Sequence, residues 1–299
     1  MAVVGAGAVG GYFGGLLARS GAPVVMVGRQ PFVDAVRTSG LLLDTLHFRE
    51  VVKVEATTEL SAARGADLVL FCVKTPDNAR TARELAPVLG QHSIAVSLQN
   101  GVDNVDQLRA AAGIEATPAV VYVAASVPGP GQVKHVGRGD LIVGSVNERA
   151  KSAAEVFERA SIPCRISDNI DGELWTKLIW NCALNAISAV GQARYGRIAE
   201  NADARALIAE IVDEVLAVAT AAQIRLSGFE DRQAAMAGAM QVATQMANAF
   251  SSTAQDIQRG RKTEIDSLNG FIARRGAELG VATPVNRALA TLVKLREGT

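Results

Sequence analysis

The chain has 299 residues, enough for two domains of ordinary size. Nearly half of them (49%) are apolar, so a substantial core can form, and 30 basic residues balance 30 acidic ones. With no basic or acidic block, nucleic acid and anionic membrane are excluded as the expected main partners, and a small molecule is left.

The first eighteen residues carry no charge, six of them are glycine, and the first side-chain cation is Arg19. A membrane or signal segment would not be so rich in glycine, whereas a turn between a strand and a helix would. Up to about residue 168, short runs rich in β-branched residues follow one another: "AVV", "PVVMVG", "DLVLFCV", "SIAVSL", "AVVYVAAS", "GQVKHVG" and "DLIVG". Amphipathic stretches such as "DNARTARELAPVL" and "NVDQLRAAAG" lie between several of them. Alternating strands and helices predict βαβ units, a mostly parallel sheet and an α/β fold. "PGPGQVKHVGRGDLIVG" is rich in turn residues and predicts a hairpin that ends the sheet with antiparallel strands.

Polar turn residues in "ISDNIDGELW" mark a change of texture. Beyond it, "ELWTKLIWNCALNAISAV", "ADARALIAEIVDEVLAVATAAQI" and "TEIDSLNGFIARRGAELG" repeat their apolar residues at helical spacing. "TPVNRALATLVKLRE" opens with Pro284 at a helix start. The expected organisation is an α/β domain over residues 1–168 and an all-helical domain over 169–299.

Gly5, Gly7 and Gly10 form a G-x-G-x-x-G pattern with a strand before it and a helix after it. In that context Gly5 permits the tight turn, Gly7 lets a pyrophosphate approach the backbone, and Gly10 allows close helix–strand packing. The turn Gly5, Ala6, Gly7, Ala8, Val9 and Gly10 is therefore the expected cofactor-binding segment, with a purely structural turn as the bland alternative. The second strand ends in "MVGRQP", where an NAD site usually places a carboxylate. Arg29 stands there instead, and a guanidinium suits the 2′-phosphate of NADP, unless it is only a solvated surface residue. Lys74 in "LFCVKT" and Asn100 in "SLQNG" follow the ends of two further strands, at the sheet edge where α/β proteins bind ligands. Each alone reads as a loop residue; together they suggest a wall of a nicotinamide pocket.

Lys177, Asn181 and Asn185 recur every fourth position on a helix that otherwise wants burial. They form one slowly drifting stripe. "SSTAQDIQRGRKTEIDSLNG" supplies Ser251, Ser252, Gln255, Asp256, Glu264 and Asp266, expected to gather in one polar region. A carboxylate near Lys177 would favour its charged form, able to protonate an oxygen that is becoming an alkoxide. Asn181, Asn185 and Ser252 offer neutral hydrogen bonds to a small acid. The bland alternatives stay open: a snorkelling lysine, asparagines exposed or bonded to backbone, and Glu264 as a first-turn acid. His135 reads as an ordinary strand residue, and Trp175 and Trp180 as packing anchors. Cys72, Cys164 and Cys182 have no metal-ligand spacing, so no metal is expected, and scattered free thiols suit a reducing cytoplasm.

Taken together, "GAGAVGGYFGGLLA", "VKT", "LQNGV", "LWTKLIWNCALNAISA", "QDIQRGRKTEIDSLNG" and "GVATPVN" resemble the ketopantoate reductase family over nearly the whole chain. The resemblance implies a Rossmann-type domain followed by an all-α domain with the site between them. It implies NADPH-dependent reduction of 2-dehydropantoate, a 2-keto acid, to (R)-pantoate on the way to pantothenate and coenzyme A. It makes Lys177 the general acid, Glu264 its support, and Asn181, Asn185 and Ser252 the substrate ligands. Asn100 and Lys74 fall near the cofactor and the reacting carbon, and Arg29 matches the arginine that favours NADP. One departure stands out: Tyr195 occupies about the place where some members carry a further substrate-binding asparagine. Another 2-keto acid as substrate, a non-catalytic NADPH sensor, and a homodimer built on the alanine-rich helices remain alternatives to weigh.

Overall fold

The computed structural model describes residues 1–144, 146–229 and 231–298. Its contacts divide the chain into two units, Met1–Ile170 and Asp171–Thr299.

In chain order the first unit begins with β1 (Ala2–Val4), α1 (Ala8–Arg19), β2 (Val25–Val27), α2 (Gln30–Ser39) and β3 (Leu41–Asp44). It continues with β4 (Arg49–Val52), β5 (Glu55–Thr57), β6 (Leu68–Phe71), α3 (Asn78–Leu85) and β7 (Ile94–Ser97). Then come α4 (Asn104–Ala112), β8 (Ala116–Ser126), β9 (Gln132–Gly144), α5 (Glu148–Arg159) and β10 (Cys164–Ser167). The strands lie in the order β4-β3-β9-β8-β7-β6-β1-β2-β5, with β10 also paired to β9. From β8 through β7, β6, β1 and β2 to β5, every neighbouring pair is parallel.

The pleat explains how this sheet is covered on both faces. Val3 of β1 and Leu68 and Leu70 of β6 join a core with Phe13, Leu17, Met26, Leu41 and Phe157. Their neighbours Ala2, Val4, Val69 and Phe71 join a second core with Ala82, Leu85, Leu108 and Ile114. Alternate side chains point to opposite faces, so short uniformly apolar strands feed both cores. Helix α1 lies unusually close to the first face. A Cβ on Gly11, Gly14 or Gly15 would come within 2.6–2.8 Å of Val133, Val3 or Leu43.

The antiparallel end of the sheet is present, but not as the sequence suggests. "GQVKHVG" and "DLIVG" are one strand, β9, paired antiparallel with β8 across the turn at residues 127–131. Gly137 and Gly139 are not turn residues: the ladder slips between Tyr122 and Val123 and again between Ala124 and Ala125. Arg138 (φ 55°) and Gly139 (φ 138°) absorb the first irregularity. A bulge satisfies the same residues that a turn would use, which is why composition misplaces it.

The second unit holds α6 (Ile170–Gly191) from its second residue, α7 (Tyr195–Glu200), α8 (Ala202–Ala221) and α9 (Arg232–Gln245). α10 (Ser252–Gln258), α11 (Asn269–Leu279) and α12 (Pro284–Arg296) complete it, with a 3-10 turn at Ile265–Ser267 and no strand among the described residues. Three of its helices start where a side chain accepts from the first turn: Asn201 caps α8, Asp231 caps α9 and Ser251 caps α10. α12 begins at Pro284, as its sequence predicts, and the Glu214 carboxylate accepts from the next two backbone amides at 2.8 and 2.9 Å. Ile208, Ile211, Val212, Val215 and Val218 form the buried stripe of α8. Trp175 packs edge-on against Phe271 and Trp180 against Phe229, the anchoring role expected of them. Among the described residues, no helix is long and apolar enough to cross a membrane.

Candidate active site

The site residues of the first unit leave from adjacent parallel strands in the order β7-β6-β1-β2, so their loops share one edge of the sheet. Gly5 follows β1 with φ of 104°, a conformation that L side chains rarely adopt. A Cβ there would stand 2.6 Å from the Cys72 carbonyl carbon, and one on Gly10 would stand 2.2 Å from the Gly5 carbonyl oxygen. Both positions admit only glycine. The amides of Gly5 and Ala6 donate to the Val27 carbonyl at 3.0 and 3.1 Å, tying the turn to the end of β2.

Gly7 differs in a way that matters for a ligand. It is the N-cap of α1, no side chain caps that helix, and its first turn carries no acid. A Cβ on Gly7 would meet nothing within 4 Å, so the missing side chain leaves room in front of the helix N-terminus rather than relieving a clash. Space, backbone N–H groups and the positive end of the helix dipole together fit a pyrophosphate. Arg29 is exposed as the N-cap of α2, just past β2. The next acid, Asp34, is held by Gln30 at 2.7 Å.

Lys74 and Asn100, both half-buried, head the loops after β6 and β7. A buried amide network joins these loops. Gln99 donates from Nε2 to the Val73 carbonyl at 2.7 Å and to Asn78 Oδ1 at 2.6 Å, and accepts from Ser97 at 2.9 Å. Asn78 donates to Asn104 at 3.0 Å and Gln107 at 3.1 Å, and Asn104 donates to the Asn100 carbonyl at 2.7 Å. Gln99, Asn78 and Asn104 thereby fix the backbone just before Lys74 and at Asn100. Sequence reading passed over all three; the signal was a glutamine at the end of an apolar strand, in "SLQNG".

In the second unit, Lys177, Asn181 and Asn185 share one stripe of α6, the first two half-buried and the third buried. Asn185 donates from Nδ2 to Asn181 Oδ1 at 3.4 Å and accepts from the Tyr195 hydroxyl at 2.9 Å. Burial holds the Tyr195 phenol protonated well above its ordinary range. Two tethers bring later segments to this helix. Ser251 donates its amide to Ser188 Oγ and its hydroxyl to the Asn185 carbonyl, both at 3.1 Å. Asn269 donates to the Cys182 carbonyl at 3.1 Å. The first tether holds the start of α10, where Ser252 is exposed, and the second holds the helix that follows half-buried Glu264.

Glu264 heads the 3-10 turn, not the first turn of an α-helix. The single polar region expected of residues 251–266 is divided. Asp256 and Ser251 are buried, whereas Asp266 is an exposed surface acid 2.5 Å from Lys294. Gln255 turns back to the Phe250 carbonyl. His135 lies buried in β9, stacked on Tyr12 and bonded to the Arg138 carbonyl, as a strand residue rather than a base in a loop. The three cysteines are free; burial pushes Cys164 up to about 12 and Cys182 further. Low-pKa thiolate chemistry is not served by either.

Comparison with known proteins bears on this arrangement. A family model described as ketopantoate reductase PanE/ApbA matches residues 1–148, and one for the C-terminal part of the same family matches residues 169–297. The 2-dehydropantoate 2-reductase of Pyrococcus abyssi is 32% identical over 99% of this chain and 97% of its own. The chain belongs to the ketopantoate reductase family. A solved PanE/ApbA family ketopantoate reductase from Ralstonia eutropha is 45% identical, with a TM-score of 0.92 over 99% of this chain and 98% of its own. A D-mandelate dehydrogenase solved with NADH and anilino(oxo)acetate is 25% identical, with a TM-score of 0.91 over 99% and 98%. A Rossmann-type domain with a helical partner is thus the family's fold, and this ketopantoate reductase family member is an oxidoreductase of the NAD(P)H-binding type.

Proposed function

We propose that the protein reduces 2-dehydropantoate to (R)-pantoate with NADPH, a step of pantothenate biosynthesis that feeds coenzyme A. The observation that carries this reading is the Lys177–Asn181–Asn185 stripe in a chain that matches the family over both of its parts. The reduced nicotinamide, when bound, supplies a hydride to the C2 carbonyl carbon.

The chain's own residues do the rest. The Gly5–Gly10 turn and the α1 N-terminus hold the pyrophosphate. Arg29 takes the 2′-phosphate through charge-assisted hydrogen bonds, which is why we assign NADP rather than NAD. Lys74 and Asn100, fixed by the Gln99 network, line the nicotinamide end. Lys177 gives a proton from Nζ to the carbonyl oxygen as C2 becomes a carbinol, and Glu264 supports its charged form. Before transfer, the ammonium also polarises the carbonyl, an effect often worth about 3 kcal/mol in a water-poor site. Asn181, Asn185 and Ser252 bind the acid. We place the enzyme in the cytoplasm, as a homodimer built on the helical unit.

A second reading keeps the chemistry and changes the acid. The likeness to a D-mandelate dehydrogenase, together with Tyr195, favours a bulkier or aromatic 2-keto acid. Steady-state kcat/KM over a panel of 2-keto acids, each with NADPH and NADH, separates the two. The proposal expects 2-dehydropantoate with NADPH to lead. An aromatic keto acid in first place would replace the substrate, and NADH in first place would overturn the role of Arg29. A protein that binds NADPH tightly yet oxidises it with no keto acid would be a sensor.

A further inference from the structure

Tyr195 donates to Asn185, and Asn185 in turn donates to Asn181, so three side chains form a directed relay that ends on the substrate stripe. Tyr195 and Asn185 are 6% and 5% exposed, so neither can exchange its partner for water. A carboxamide has one oxygen and one NH2 group, and turning it exchanges acceptor for donor. The phenol donates to Asn185 Oδ1, which directs Asn185 Nδ2 to Asn181 Oδ1 and leaves Asn181 Nδ2 as the end of the relay.

We propose that Tyr195 is a positioning residue that sets both amides, so that the stripe turns hydrogen-bond donors toward its ligand. Alongside the Lys177 ammonium, the amide N–H groups then select a ligand rich in acceptors, such as the carboxylate and ketone oxygens of a 2-oxo acid. The amide oxygens are kept inside the relay. A ligand that relies on donating to these amides competes with the relay for their oxygens. The inference rests on the keto-acid reading of the site, and it adds what tunes the amides.

The test is a double-mutant cycle of Tyr195→Phe and Asn181→Ala, with kcat and KM for the best keto acid measured beside NADPH binding. Tyr195→Phe is expected to raise KM roughly tenfold with kcat little changed, the size of one lost hydrogen bond to a bound ligand. NADPH affinity should not move. Because Tyr195 acts through Asn181, the double variant should lose no more than Asn181→Ala alone. Asn185→Asp cuts the relay in its middle while keeping an acceptor for the phenol, and should raise KM in the same way if Tyr195→Phe folds poorly. Additive losses, or an unchanged KM in both Tyr195→Phe and Asn185→Asp, would overturn the relay.

The keto-acid reading fails by a different result, a parent protein that turns over no keto acid. The relay then remains readable in hydrogen exchange of the Asn185 side-chain amide. Exchange should quicken in Tyr195→Phe; equal rates in parent and variant would sink it.

Discussion

At the scale of single residues, charge and hydrogen bonding are expected to decide cofactor choice. Arg29→Ala removes the group assigned to the 2′-phosphate. Charge-assisted hydrogen bonds are worth roughly 1.5–3 kcal/mol, so KM for NADPH should rise about 10- to 100-fold while KM for NADH stays put. Equal losses with both cofactors would point to damage in the turn instead. Tyr195 makes a pH prediction of its own. Burial raises its pKa above the ordinary 10.0, so the folded state holds a proton that the unfolded chain releases. This group's effect is absent below pH 10, and above it stability falls by up to about 1.4 kcal/mol per pH unit until the folded phenol titrates. In matched denaturant titrations, Tyr195→Phe should lose less stability than the parent between pH 9 and 11. Among these residues, Gly5 and Gly10 were legible because their chemistry is local. Gln99, Asn78 and Asn104 were not, since their importance comes from partners 21 and 26 residues away in the chain.

At the scale of elements, the telling case is how α12 begins. Pro284 removes one N–H, and Glu214 of α8 accepts from Val285, from the Asn286 backbone and from the Asn286 side chain at 2.7 Å. Asn286 in turn accepts from Asn269, which bonds the Cys182 carbonyl of α6. One carboxylate thus links the cap of the last helix to the helix that bears Lys177. Glu214→Ala should cost about 2 kcal/mol, the loss of a cap plus hydrogen bonds to a charge, seen as a lower urea midpoint with unchanged slope. A variant as stable as the parent would show that water replaces the carboxylate at no cost. Pro284 announced this helix in the sequence, but its capping acid lies 70 positions upstream of it and no local pattern reveals it. β9 shows the converse: its glycines were visible, and only the facing strand shows that they make bulges.

At the scale of the whole molecule, the change from β-branched runs to helical periodicity near residue 170 was written in the sequence, because burial on two sheet faces and burial on one helix stripe demand different repeats. β5 (Glu55–Thr57) carries no such repeat and appears only through its pairing with β2. Two units make unfolding more than a two-state event, and the cofactor should stabilise the unit that holds its turn. With NADPH at a hundred times its Kd, the gain is about 2.7 kcal/mol, or roughly 5–10 °C for a unit of this size. A melting profile indifferent to NADPH would contradict the assignment of Gly5–Gly10.

The central claim is that Lys177 protonates the oxygen of a 2-keto acid as C2 is reduced. Its most direct test is NADPH oxidation with saturating 2-dehydropantoate, followed at the nicotinamide absorbance band, for the parent and Lys177→Ala. In Lys177→Ala, kcat should fall about 10²- to 10⁴-fold with NADPH affinity unchanged. A variant that turns over at the parent's rate would contradict it.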